Sequence, residues 1–345
     1  MTMPLVTAPI GVREADLRDG GEVARLDAFV REHRGTPFHR PAWSIAVEEG
    51  CRQRARYLIA ERADGRLAGV LPLTEMRSRL FGRALVSTGF GVGGGVLGDA
   101  VEPLAAGAWD LAQRLGCPSV ELRGGEAPDG WAVDETTYVG FVRELADDPL
   151  AAIPRKQRAE VRRSLGLDLT TVAARDAAAL GEHYHVYAES VRNLGTPVFP
   201  RALFSSIVNR LDADVLTVRH ERMAVASVLS LYDDTTVYPY WGGGAAAARG
   251  LRANDRMYLA LMEHARDRGL THFDFGRSKA GTGAAAFKKN WGFVPQPLRY
   301  ASCSAGPARM VNPLSPKYRL MVAGWKRLPL PIANAVGPLL SRGLG

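Results

Sequence analysis

Within this 345-residue chain, reactive residue types and a geometry to aim them coincide best at 272–293, HFDFGRSKAGTGAAAFKKNWGF. A strand delivers Asp274, Gly276 turns the chain, and Arg277 and Lys279 set two cations at the strand's C-terminal end. Ligands of α/β sheets commonly gather at that end. Thr282, inside Gly281-Thr282-Gly283, is a natural N-cap for a short helix, AAAFKKNW. The start of that helix offers unpaired N–H groups and a partial positive charge. Phe287 and Trp291 are four apart and share one face, which turns Lys288 toward another. Such a convergence of positive charge suits a negative group that forms during reaction, such as the oxyanion of acyl transfer. Spacing alone also describes a solvated basic helix with Phe287 and Trp291 in the core, and taken by itself it favours that plainer description.

Other candidate motifs fail. Gly89-Phe-Gly91-Val-Gly93-Gly94 has the GxGxxG form, but Gly95-Val-Leu-Gly98 follows instead of a helix start. Turns or bulges explain it better than a dinucleotide site. Gly276-Arg-Ser278-Lys-Ala280 imitates a nucleophile elbow, yet no Asp, Glu or His follows Asp274 to complete a triad. The seven histidines show no ligand spacing, and no HExxH or Cys/His cluster exists, so no metal is expected.

Charge is unevenly placed. The 71 residues after Asp274 carry a formal +11, which against +8 for the whole leaves −3 for the rest. One basic end attracts anions such as phosphates, tRNA or anionic lipid. Of 44 basic residues only six are lysine, and five of those six fall between 279 and 326. An ammonium kept against that arginine bias suggests work that a planar guanidinium cannot do. Arg155, Lys156, Arg158, Arg162 and Arg163 form a basic helix face able to hold a phosphorylated donor or acceptor. Tyr238, Tyr240 and Trp241 could line an acceptor groove, although aromatics of an inner strand are more often core. No apolar run reaches the ~18 residues of a membrane span. The start of the chain lacks signal-peptide character, and three scattered cysteines read as free thiols. A cytoplasmic protein is expected.

The chemistry needs a scaffold, and the pattern repeats. A hairpin (57–62 with 67–73, turning at Asp64-Gly65), a strand at 84–88, a helix from about 102 to 115 and a strand at 119–123 occupy the first half. The second half returns the order, with strands 215–220, 223–232 and 235–241, a helix ending at Gly269 and strand 271–275. An acid follows each helix-stop glycine by five residues, Glu121 after Gly116 and Asp274 after Gly269. Helices are expected over 153–165, 176–193 and 200–211. The reading is an α/β (α+β) chain with mixed, mostly antiparallel sheets, divided as 1–150, 151–305 and a basic, Pro-punctuated tail 306–345. In that tail Trp325, Lys326 and Arg327 could touch an anionic membrane, while Pro329 and Pro331 are expected to prevent a regular amphipathic helix.

Tandem acetyltransferase-like halves, an Arg-rich helix opening the second and a late Phe-Lys-x-x-aromatic-Gly segment resemble the FemAB/FemX family. FDFGRSKAGTGAAAFKKNWGF, VELR, NLGTPVFP and the tail NPLSPKYRL…GWKRLPLPIANAVGPLLSRGLG are similar to FemAB-related proteins of PEP-CTERM/exosortase exopolysaccharide loci. The resemblance spans nearly the whole chain and is most specific at 272–300. It implies two tandem GNAT-like (acyl-CoA N-acyltransferase fold) domains. It also implies transfer of an aminoacyl group from aminoacyl-tRNA to an amine on a cell-wall precursor. Lys288, of Phe287-Lys288-x-x-Trp291-Gly292, would then stabilise the oxyanion.

Two departures stand against a simple transfer of those properties. The helical hairpin used for tRNA contact is missing, and WGGGAAAARGLR (241–252) lacks the spacing of the acetyltransferase pyrophosphate loop. The donor is therefore left open between aminoacyl-tRNA and acyl-CoA, with no other cofactor expected. Lys288 and Asp274 are the candidate catalytic residues. Arg277, Lys279, Thr282, Gly283, Phe287, Trp291, Tyr240, Trp241, Arg155, Lys156 and Arg158 are candidates for substrate binding. The expected activity is amide formation on an envelope or exopolysaccharide precursor, which could be lipid-linked. The alternatives are an acyl-CoA-dependent N-acetyltransferase and a non-catalytic scaffold that binds an anionic carrier.

Overall fold

A computed structural model describes residues 10–78, 82–306 and 316–345. The chain forms two compact units. Among the described residues, one comprises 10–78, 82–135, 299–306 and 343–345, and the other 136–298 and 316–342.

The first unit is built on a sheet ordered Gly11–Glu14, Arg54–Glu61, Leu67–Ser78, Gly82–Ser87, Ser119–Arg123, Tyr300–Ser304 and Ala132–Asp134. Its hairpin turns where expected, with Gly65 in the left-handed region at φ 81°, which glycine adopts without strain. Helix Val101–Leu115 buries Leu104, Ala105, Ala108, Leu111 and Ala112, a spacing that gives one apolar stripe against the sheet.

The second unit repeats the plan. Its main sheet runs Thr170–Ala174, Ala213–His220, Met223–Tyr232, Thr236–Gly244, His272–Asp274 and Val142–Glu144. Every pairing is antiparallel except Thr236–Gly244 with His272–Asp274. One sheet face packs on helix Ala253–Asp267 through Met257, Leu261, Met262 and Ala265. Helices Ala177–Leu194 and Arg201–Arg210 cover the other face. A small second sheet pairs Tyr138–Gly140 with Ser278–Lys279 and Gln296–Pro297.

These boundaries differ from the expected 150 and 305. Residues 136–144 enter the second unit because Val142–Glu144 hydrogen-bonds along His272–Asp274. Tyr300–Ser304 enters the first because it pairs with Ser119–Arg123. Both exchanges rest on long-range pairing of short strands, which local periodicity does not encode.

The tail also differs from expectation. Pro316–Lys326 and Leu330–Ser341 are helices that pack on helix Ala177–Leu194. Pro329 is the N-cap of the second helix and Pro331 lies in its first turn. No intrahelical N–H is required there, so these prolines start the helix instead of preventing it.

Candidate active site

The site forms where the second unit's two parallel strands part. Thr236 and Val237 pair with His272 and Phe273, and no pair between these strands follows, although the first strand continues to Gly244. Beside the free end of the first strand lies a cleft of about 500 Å³. Its walls include Ser190, Asn193 and Leu194 of helix Ala177–Leu194, glycines 242–244, Arg249, Asn254, Tyr258 and Phe287. Gly243 permits that wall, since a Cβ there would lie 2.3 Å from the Ser190 hydroxyl. Arg249 is the charged residue among the lining side chains. The loop amide of Ala246 donates to the Glu189 carboxylate at 2.8 Å. Asn254 contributes a buried carbonyl oxygen with no hydrogen-bond partner among the described residues.

The expected segment folds as read. Thr282 caps helix Gly283–Asn290, accepting from Ala285 N–H at 3.4 Å and donating to the Lys279 carbonyl at 2.7 Å. Trp291 is fully buried, and Gly292 at φ 87° ends the helix so that Phe293 returns to the core. Tyr258, Phe275, Phe287 and Trp291 form one aromatic cluster that anchors the helix. The half-buried Lys288 ammonium points back to the strand end, donating to the carbonyls of Gly276 at 3.1 Å and Arg277 at 3.0 Å. It also lies 5.3 Å from the Phe141 ring centre and 5.6 Å from that of Phe275.

Burial pulls the Lys288 pKa down to about 8, with Arg277 pushing the same way and Asp274 opposing. Burial raises the Asp274 carboxyl to about 6, against the pull of the Gly276 amide, which donates to it at 2.8 Å, and of Lys288. Asp233 adds a smaller upward push. A carboxylate and an ammonium whose pKa values approach neutrality from opposite sides can each exchange a proton near pH 7. An ammonium has three N–H donors, and two are used on carbonyls. Neither Lys288 nor Asp274 is among the cleft-lining residues; of helix Gly283–Asn290 it is Phe287 that reaches the wall.

The remaining sequence candidates divide. Arg277 lies over the Tyr138 ring, 4.7 Å from its centre, beside Lys288. Lys279, Thr282 and Gly283 are exposed in the turn before the helix. Phe287 joins the cleft wall. Trp241 is buried against Phe199, Phe204 and Tyr240, so it packs the helix-covered face and is not among the cleft-lining residues. Tyr240 is half-buried beside it and is likewise absent from that lining. On helix Arg155–Leu165, Arg155 and Lys156 are exposed, while Arg158 donates to the Ala151 carbonyl. That helix packs on Ala253–Asp267, and none of its residues lines the cleft.

Residues not singled out in the sequence complete the site. Phe141 and Tyr138 come from the exchanged segment, and the Phe141 carbonyl accepts from Phe275 N–H at 2.7 Å. Ser190, Asn193 and Asn254 sit on helices that carry no reactive motif. The available signal was the run of three glycines at 242–244, which marks a close backbone approach.

Residues 153–289 match the acetyltransferase (GNAT) domain family. The matched stretch contains the cleft, Asp274 and Lys288. No curated protein matches the sequence. Among solved structures, FemX superposes with a TM-score of 0.65 at 16% identity, covering 90% of this chain and all of that one. The C-terminal domain of a putative lysylphosphatidylglycerol synthetase from Agrobacterium fabrum gives 0.56 at 14% identity over 81% of this chain and 91% of that domain. A tandem GNAT protein from the clavulanic acid biosynthesis pathway gives 0.55 at 13%, over 87% of this chain and all of the other. The fold is therefore two tandem GNAT-like domains.

Proposed function

We propose that this protein is an acyl- or aminoacyltransferase of FemAB type that forms an amide on a cell-envelope or exopolysaccharide precursor. The observation that carries the reading is the Lys288 ammonium held on the Gly276 and Arg277 carbonyls just beyond strand His272–Asp274, where it and Asp274 shift each other's pKa values. The acceptor supplies its own amine nucleophile, so the protein need not provide one. The amine attacks the activated acyl carbonyl, and the Lys288 ammonium stabilises the oxyanion through its third N–H. Asp274 takes the proton released by the amine. The C–N bond then stays, the bond to the leaving oxygen or sulfur breaks, and the proton passes to that leaving group.

Two donors fit the cleft by different observations. The match to acetyltransferases supports a CoA thioester, with Arg249 near the phosphates and Asn254 accepting from an amide of the arm. The Glu189 carboxylate on the Ala246 amide favours an aminoacyl ester instead. It places negative charge on a loop amide that a diphosphate would otherwise use. Incubation with labelled acyl-CoA or aminoacyl-tRNA and an envelope extract decides between them by which label becomes fixed. Full transfer by Lys288→Ala with either donor would remove the proposed chemistry and leave a scaffold that binds an anionic carrier.

A further inference from the structure

Among the described residues fourteen large apolar side chains are exposed, and five of them fall at Met321, Val322, Ile332, Val336 and Leu339. The helix Leu330–Ser341 is arranged against the usual rule for a soluble helix. Its small residues Ala333, Gly337 and Ser341 face inward. Gly337 packs so closely that a Cβ would lie 3.1 Å from Val198 Cγ1, and the Ser341 hydroxyl donates to the Val198 carbonyl at 2.7 Å. The opposite face carries Ile332, Val336 and Leu339 at i, i+4 and i+7, exposed by 49%, 40% and 62%.

The charged residues that flank this helix in sequence have one sign. Exposed Lys326 and Arg327 precede the helix, Arg342 follows it, and no acidic residue occurs after Asp274. A patch for another protein has no need of flanking charges of one sign, whereas an anionic lipid surface matches both the apolar stripe and the charge. At 12 residues the helix is too short for the ~20 needed to span a bilayer. Its geometry is that of a helix lying in the interface.

We infer that the outward face of Leu330–Ser341 docks on an anionic phospholipid surface, with Lys326 and Arg327 at the headgroups. The preceding helix extends the contact toward the cleft. A Cβ on Gly195 would lie 2.5 Å from Val322 Cγ1, and the adjoining Leu194, 69% exposed, is itself a cleft wall. Docking would thus bring the cleft mouth beside the lipid surface. The inference stands apart from the transfer chemistry, because binding is read without turnover.

The test is co-sedimentation of the full chain with phosphatidylcholine vesicles, with and without phosphatidylglycerol. Partitioning should be at least about 10-fold stronger on the anionic vesicles and should weaken with salt. Ile332→Glu with Leu339→Glu should lose about 10-fold or more while the circular dichroism spectrum is unchanged, since both side chains are exposed. Lys326→Glu with Arg327→Glu should remove the preference for anionic lipid. No binding, equal binding to both vesicles, or wild-type binding by the variants overturns the inference. So does a dimer in solution that Ile332→Glu with Leu339→Glu dissociates, without vesicle binding by the parent, since the stripe would then cover a second copy.

Discussion

The two units share an order of elements and differ at the one place where that order leaves an opening. In each, a strand after the hairpin pairs in parallel with the strand that follows the long helix. In the second unit the strands part and a cleft lies beside the free end. In the first the gap is filled by the protein itself. Gly95 N–H donates to the Arg123 carbonyl at 2.9 Å, and a Cβ on Gly95 would lie 1.9 Å from the Gly124 carbonyl oxygen. The buried Arg123 guanidinium donates to the carbonyls of Thr88 at 3.2 Å, Gly91 at 3.3 Å and Gly345 at 3.3 Å. The acids at matching places part company as well. Glu121 is held by Arg123 at 2.7 Å, while Asp274 is desolvated and faces Lys288. A repeated fold therefore need not repeat a site. What decides is whether backbone closes the space that parting strands open.

The sharpest way to break this contrast is to delete the ammonium on one side and the guanidinium on the other. Lys288→Ala should lower kcat by about 10²–10³, the usual cost of an oxyanion donor, whereas Arg123→Ala should lower thermal stability and leave kcat/KM nearly unchanged. Equal losses of activity would put chemistry in both units. Next in size, Gly95→Ala should destabilise the first unit by about 3 kcal/mol, read as a lower denaturant midpoint, because no room exists for a methyl group. A neutral result would mean that the loop can move off the strands.

Transfer should follow a bell in pH. The rate rises as Asp274 loses its proton near about 6 and falls as Lys288 loses its own near about 8. Asp274→Asn should lower kcat, abolish the acid limb and move the alkaline limb to lower pH, since Asp274 raises the Lys288 pKa; survival of the acid limb would assign it elsewhere. Acid stability gives a smaller separation of the units. His183 is buried and hydrogen-bonds Ser227 at 2.9 Å, and burial depresses its pKa from 6.5 to about 3. Below 6.5 the unfolded chain binds a proton that the native state refuses, so stability falls by about 1.4 kcal/mol per pH unit until about 3. In the first unit burial lowers His39 to about 4. His183→Gln should remove only the second unit's share of the acid loss, measured by urea melts at pH 7 and 5. The smallest effect is expected at the cap, where Thr282→Ala should cost about 1 kcal/mol and slightly lower Tm.

The repeat, the strands and helices, and the segment 272–293 were legible because each rests on local rules. Helix Val101–Leu115 and strand Ser119–Arg123 follow from apolar spacing and the glycine stop between them. Thr282 caps its helix through a bond to a residue three positions away. The cleft walls were not legible. Ser190, Asn193 and Asn254 are ordinary helix residues whose role comes from meeting Gly242–Gly244 across the fold. Trp241 was drawn toward the site by its type and placed in aromatic packing by the side of the strand on which it falls.

By itself the sequence determined the doubled α/β pattern and the Asp274 to Lys288 segment, since hydrophobic period, caps and turns act within a few residues. Only the tertiary structure decided where the units divide, which of them keeps an open cleft, and where the Lys288 ammonium points. Each of these depends on strands and side chains distant in sequence. Burial then shifts Asp274 and Lys288 toward neutrality, an effect of desolvation by the folded surroundings that residue type alone does not carry.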